Sequence, residues 1–175
     1  MKIYLVRHGQ CDSNVIGRFN FVDEDINETG IKQAEDLKEK IKLIDYDIVI
    51  SSPLLRAKHT AEIINVNNKK IITDDRLQER IHGSLEGVSC SLVDRDEQWN
   101  YYSKKRFGTA EMTKELCDRI KGFLDELKTK NYNSVLIVAH SGVSKAFYVY
   151  FNGVPEDGRL LDLGIKNAEI KEYTL

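Results

Sequence analysis

Three short stretches of this chain, Ile3–Val6, Asp47–Ile50 and Val135–Ala139, are almost continuously apolar and rich in β-branched residues. Polar residues do not alternate within them, so strands built from them need cover on both faces. Four helical stripes can supply that cover. Ile31, Ala34, Leu37, Ile41 and Ile44 mark the first, and Leu54, Ala57, Ala61 and Ile64 the second, with Ser52 as its expected N-cap and Pro53 in its first turn. Leu116, Ile120, Phe123, Leu124 and Leu127 mark the third; Val143, Ala146, Phe147 and Tyr150 mark the fourth. Buried strands alternating with amphipathic helices predict an α/β fold, a three-layer α-β-α sandwich around a mainly parallel sheet. Ile71–Thr73 adds a short strand. The tail reads as strand, turn and strand over Leu160–Ile165, Lys166–Ala168 and Glu169–Tyr173, which predicts an antiparallel edge. Segment 88–110 has one short helical stretch and no clean period, so it reads as an excursion from the scaffold.

At 175 residues the chain is expected to form one domain, 1–175. A net charge of -2, from 26 basic and 28 acidic residues, gives no global attraction to nucleic acid or to an acidic membrane. No apolar run approaches a membrane span, and residues 1–6 are too short an apolar start for a signal peptide. Cys11, Cys90 and Cys117 are odd in number and widely spaced, which fits a reducing cytoplasm rather than a disulfide scaffold or a zinc knuckle. The expectation is a cytoplasmic monomer or homodimer.

Open α/β sheets bind ligands beyond the carboxyl ends of their strands. The first apolar run ends in Arg7-His8-Gly9, the second in Ser51-Ser52-Pro53 followed by Arg56, and the third in His140-Ser141-Gly142. Two histidines and two arginines are thereby predicted at one edge. Guanidinium forks match phosphoryl oxygens and stay charged at any working pH. Arg7 and Arg56 could clamp a dianion, helix N–H groups near Arg56 and Gly142 could add to the site, and a neutral imidazole could take the phosphoryl group covalently. The duller account leaves the histidine bonded to backbone and the arginines paired or solvated. A leaving alkoxide needs a proton, and Leu77–Gly87 offers Glu79, His82 and Glu86, with two glycines allowing close backbone approach. Chemistry alone does not choose between Glu79 and Glu86.

Leu5-Val6-Arg7-His8-Gly9-Gln10, continued by Asn14, Arg18 and Asp23, resembles the signature of the histidine phosphatase superfamily, in the branch that includes the cofactor-dependent phosphoglycerate mutases. Thr29–Ala34, Ser51–Ala57 with Thr60-Ala61, Leu77-Gln78-Glu79 with Gly83 and Glu86-Gly87, and Ala139–Gly142 resemble its further motifs in order. Asn167-Ala168 resembles a weaker one. The resemblance implies a phosphoglycerate mutase-like fold and a metal-independent histidine acid-type phosphatase without cofactor, acting on a small-molecule phosphate ester. It implies His8 as nucleophile and Glu79 as proton donor and then base. Arg7, Asn14, Arg56, His140 and Ser141 would contact the substrate. The chain departs from the family at Glu111-Met112, where a serine commonly follows the glutamate, and at Ile26-Asn27, where Leu-Thr is commoner.

Four rival readings compete. A cysteine phosphatase on Cys11 needs five residues before its arginine, whereas Asp12–Gly17 are six. A metal hydrolase built on His8, His140, Glu79 and an aspartate would bring a cation up against two arginines. A phosphoglycerate mutase is favoured by Glu79-Arg80 but lacks a histidine at Ile81 and room for a longer insertion. A catalytically silent phospholigand-binding module could dispense with His8, Glu79 or His140, and all three are present. Segment 88–110 leaves two accounts open: Trp99, Tyr101, Tyr102 and Phe107 could contact an organic moiety and Lys104–Arg106 a second anion, or, at least as readily, these aromatics cap the core and the basic run is solvated.

Overall fold

A computed structural model describes residues 1–175. Five strands form one sheet in the order β3-β2-β4-β1-β5: β1 (Lys2–Arg7), β2 (Ile48–Ser51), β3 (Ile71–Thr73), β4 (Ser134–Ala139) and β5 (Ile170–Thr174). The first four neighbours run parallel, and β5 pairs antiparallel with β1. The helices are α1 (Asp12–Ile16), α2 (Glu28–Ile41), α3 (Leu55–Ile64), α4 (Arg95–Gln98), α5 (Thr113–Leu127) and α6 (Ser141–Asn152). The sandwich expected from the apolar runs is therefore the fold observed.

Strand pleating divides each run between two cores. Ile3, Leu5, Ile48, Ile50, Val135 and Ile137 face the layer made by α5 and α6. Tyr4, Val6, Val49, Leu136 and Val138 face α2 and α3. All six residues of β4, the central strand, are buried. Complete burial of a Leu or Ile side chain contributes about 2 kcal/mol, which is why these runs tolerate no polar alternation. No helix is long and apolar enough to cross a membrane.

Two local expectations need correction. The N-cap of α3 is Leu54, not Ser52; the Ser52 hydroxyl accepts from Leu54 N at 3.3 Å and turns toward His140. Leu160–Ile165 is not a strand. Leu160 and Ile165 sink into the core, and side chains satisfy the segment's backbone: Lys145 Nζ donates to the carbonyls of Leu160 and Leu161, and Ile165 N donates to Ser144 Oγ. β5 alone takes the free side of β1. Within 88–110 the one short helical stretch expected is the single turn of α4, held by the Asp94 carboxylate accepting from Glu97 N. At the other departure from the family pattern, Asn27 caps α2 directly by accepting from Gly30 N at 2.9 Å.

Candidate active site

The parallel register sets Arg7 opposite Ala139 and Ser51 opposite Val138, so the residues just beyond them become neighbours. His8 N continues the ladder to Ala139 O at 3.0 Å, and Ser52 N continues it to Val138 O at 2.9 Å. The rings of His8 and His140 lie 5.0 Å apart, and His140 Nε2 is 2.8 Å from Ser52 Oγ. Both histidines are about 1% exposed.

His8 Nδ1 is 2.6 Å from Gly9 O. A carbonyl only accepts, so Nδ1 carries the proton and Nε2 keeps its lone pair. Burial, reinforced by the charges of Arg56 and Arg7, holds the His8 pKa well below the usual histidine range. His140 is likewise held low by burial and then by Arg56, and its buried Nδ1 has no partner. Two neutral imidazoles with unused nitrogens thus stand side by side.

Arg7 and Arg56 reach the same place from β1 and from the second residue of α3. Arg7 donates to Ile165 O at 3.1 Å, and Arg56 to Phe21 O at 2.9 Å. Each retains a buried Nε without a partner. Arg76, Arg106, Arg119 and Arg159 all pair with carboxylates, whereas Arg7 and Arg56 pair with none. Burying a cation without a counter-charge costs several kcal/mol. Two such guanidiniums side by side can receive an anion.

Above it opens a cavity of about 460 Å³ lined by Arg7, Asn14, Glu79, Ser141 and Asn167 among others. His8, Arg56 and His140 are buried and are not part of that lining. Glu79 points at the start of α6: its Oε1 accepts from Gly142 N at 3.0 Å and from Arg80 N at 2.8 Å. Its segment is gripped from α5 by Arg119, which donates to the carbonyls of Arg76, Gln78 and Glu79 and pairs with Glu111 at 2.7 Å. Glu111 Oε2 also accepts from Ile81 N at 3.1 Å. The departure at Glu111-Met112 therefore leaves Glu111 fastening the Glu79 segment.

Asn14 Nδ2 donates to Asn20 Oδ1 at 3.1 Å, while its Oδ1 accepts from Cys11 N at 3.1 Å and from Asn167 Nδ2 at 3.2 Å. Asn167 also donates to His8 O at 3.0 Å, tying the tail to the loop after β1. In the sequence Asn167 is signalled only by the weak terminal motif that it shares with Ala168. Gly9 N donates to Thr60 Oγ1 at 3.1 Å.

The other proton-donor candidates separate clearly. His82 lines the cavity, and burial lowers it to about 4. Glu86 does not reach the lining. Cys11 is buried, and burial pushes its thiol up to about 12, far from a thiolate nucleophile. No group of three or more His, Cys, Asp or Glu side chains converges as a metal cage. Few of the candidate contact residues named in 88–110 face this cavity. Arg106 pairs with Glu115, Lys105 lies over Phe107 and Tyr102 is exposed; among these aromatics only Trp99 lines the cavity.

An α/β sandwich that gathers neutral imidazoles and unpaired guanidiniums at its strand ends is a phosphate-handling protein. The chain belongs to the histidine phosphatase superfamily (branch 1), which it matches over residues 3–175. It is 32% identical over 177 residues to phosphoserine phosphatase 1 of Hydrogenobacter thermophilus, covering 96% of this chain and 83% of that one. It is 35% identical to the uncharacterized phosphatase PhoE of Bacillus subtilis, covering 97% and 89%. Among solved structures, the phosphoserine phosphatase of Entamoeba histolytica in complex with 3-phosphoglyceric acid superposes with a TM-score of 0.83 at 22% identity, covering 99% and 90%.

Proposed function

We propose that this protein is a metal-independent phosphomonoesterase that hydrolyses a small phosphorylated metabolite through a phosphohistidine on His8, with residues 1–175 acting as one domain. The observation that carries this reading is the free Nε2 of a neutral His8 beside two buried guanidiniums without counter-ions.

The phosphoryl group sits against Arg7, Arg56, Asn14, His140 and Ser141. His8 Nε2 attacks phosphorus; the N–P bond forms as the ester P–O bond breaks, and Glu79 delivers a proton to the leaving oxygen. The alcohol departs. Glu79 then takes a proton from water, whose oxygen attacks phosphorus, and the N–P bond breaks to release inorganic phosphate and neutral His8. Charge building on the phosphoryl oxygens is met by the arginines, in the role a metal ion fills elsewhere. Hydrolysis rather than transfer to a second hydroxyl is supported by the chain between β3 and α5, whose only helices are 3₁₀ turns and the single-turn α4. The relatives named as phosphatases support the same outcome.

The test is rapid quench with a labelled phosphomonoester. Acid-labile label should appear on the wild type and vanish in His8→Ala, and phosphate release should persist in chelator. Phosphoglycerate interconversion far faster than phosphate release would replace this reading with the mutase.

A further inference from the structure

The cavity holds more positive charge than one phosphoryl group can use. Its lining carries Arg7, Arg18, Arg95 and Lys145, and Glu79 is its single carboxylate. Arg7 is taken up with the buried Arg56 in the phosphoryl site. None of Arg18, Arg95 and Lys145 pairs with a carboxylate, although Arg159, next to Leu160 in the segment that packs on Lys145, pairs with both Asp96 and Asp162.

Lys145 is an unusual residue to bury. It is 5% exposed, within the buried stretch Val143–Phe147 of α6, and its Nζ stands 4.9 Å from the centre of the Trp99 ring. Two of its protons go to the carbonyls of Leu160 and Leu161, which leaves one N–H of the ammonium free. Burial above all, with repulsion from Arg95 and Arg7 against the pull of Glu79, lowers it to about 8. Arg95 lies over Phe19 at 5.2 Å, and its buried Nε has no partner. Arg18 is exposed at the rim.

We infer that Lys145 and Arg95, with Arg18 at the rim, form a second anion subsite, so that the substrate is a short polar phosphomonoester carrying a further anionic group such as a carboxylate or second phosphate. This rests on the phosphatase reading above and deepens it. A cavity of about 460 Å³ exceeds what a phosphoryl group fills and lies in the range that takes a small organic molecule. Of its sixteen lining residues only four are hydrophobic, which disfavours a large apolar body. The second anion is met here rather than at Lys104–Arg106, which the cavity does not include.

The test compares matched substrates that differ only in the second charge: 3-phosphoglycerate against glycerol 3-phosphate, and propane-1,3-diol bisphosphate against its monophosphate. In wild-type protein kcat/KM should favour the charged member of at least one pair by about tenfold to a hundredfold, the range of one or two charge-assisted hydrogen bonds. The pair that shows the preference identifies carboxylate or phosphate. Arg95→Gln and Lys145→Met should each bring that ratio down toward unity, chiefly through KM. The half-buried Arg95 variant keeps the test open if the Lys145 variant does not fold. Equal kcat/KM within both pairs, or a ratio untouched by Arg95→Gln, overturns the subsite while leaving the phosphatase standing. No phosphate release from any of the four compounds, with no acid-labile phosphate on His8, overturns the phosphatase reading and this inference with it.

Discussion

Gly142 N donates to Glu79 Oε1 at 3.0 Å, and a Cβ placed on Gly142 would lie 2.2 Å from that same oxygen. The helix start and the carboxylate are therefore fitted to one another. Trp99 and Leu116 close the remaining space at 2.9 and 3.2 Å, so Glu79 has to move if a methyl group appears.

Gly142→Ala should accordingly behave like a partial loss of Glu79. A general acid contributes about 10²–10⁴-fold, so kcat on alkyl phosphates should fall by about 10²-fold or more. A p-nitrophenyl ester, whose leaving group needs less protonation, should lose less. Burst kinetics on both substrates check this, and equal losses on both would remove Glu79 from the acid step.

The unpaired arginines predict an exchange of stability for binding. Arg56→Met removes a buried charge that has no counter-ion, so the ligand-free variant should melt no lower than wild type. Vanadate or phosphate at about 100 times its Kd should stabilise the wild type by about 2.7 kcal/mol. In Arg56→Met most of that shift should disappear, as thermal melts with and without ligand would show.

The buried histidines set a sign for the pH dependence of stability. His8, His140 and His82 are all lowered in the folded protein, His82 to about 4, by burial first of all. In the unfolded chain they take up protons near pH 6.5. Between about 6.5 and the folded values the unfolded state binds more protons, so stability falls as pH falls. Each such histidine contributes a slope of about 1.4 kcal/mol per pH unit within that window. Denaturant midpoints at pH 7.5, 6 and 5 should decline, and His82→Gln should decline less steeply.

Gly30 meets the loop after β1 without a side chain between them. A Cβ at Gly30 would stand 2.3 Å from Gln10 O, and one at Gly9 would stand 2.4 Å from Gly30 O. Gly30→Ala should cost about 1–3 kcal/mol through overpacking. At about 2–4 °C per kcal/mol for a chain of this size, calorimetry should register the drop. Activity should fall with it, because the displaced loop carries His8.

Much of this was legible in the chain itself. The three apolar runs became β1, β2 and β4 because a strand covered on both faces leaves a composition that few other elements share. The motif residues at their ends converged because a parallel sheet sends all its carboxyl ends to one edge. The reading failed where backbone is satisfied by side chains rather than by neighbours in sequence. Leu160–Ile165 has the apolarity of a strand, but Lys145 and Ser144 take its polar groups. The basic run Lys104–Arg106 looked like an anion grip and lies away from the cavity.

Local pattern by itself determined the layers, the parallel sheet and the edge at which Arg7, His8, Arg56 and His140 gather, since those follow from burial and strand direction. Only the tertiary structure decided which charges are left without partners. Whether an arginine is neutralised depends on carboxylates that chain folding brings near it, and no spacing along the chain encodes that. Thus Arg119 fastens the segment bearing Glu79, whereas Arg7 and Arg56 have no ion-pair partner beside His8.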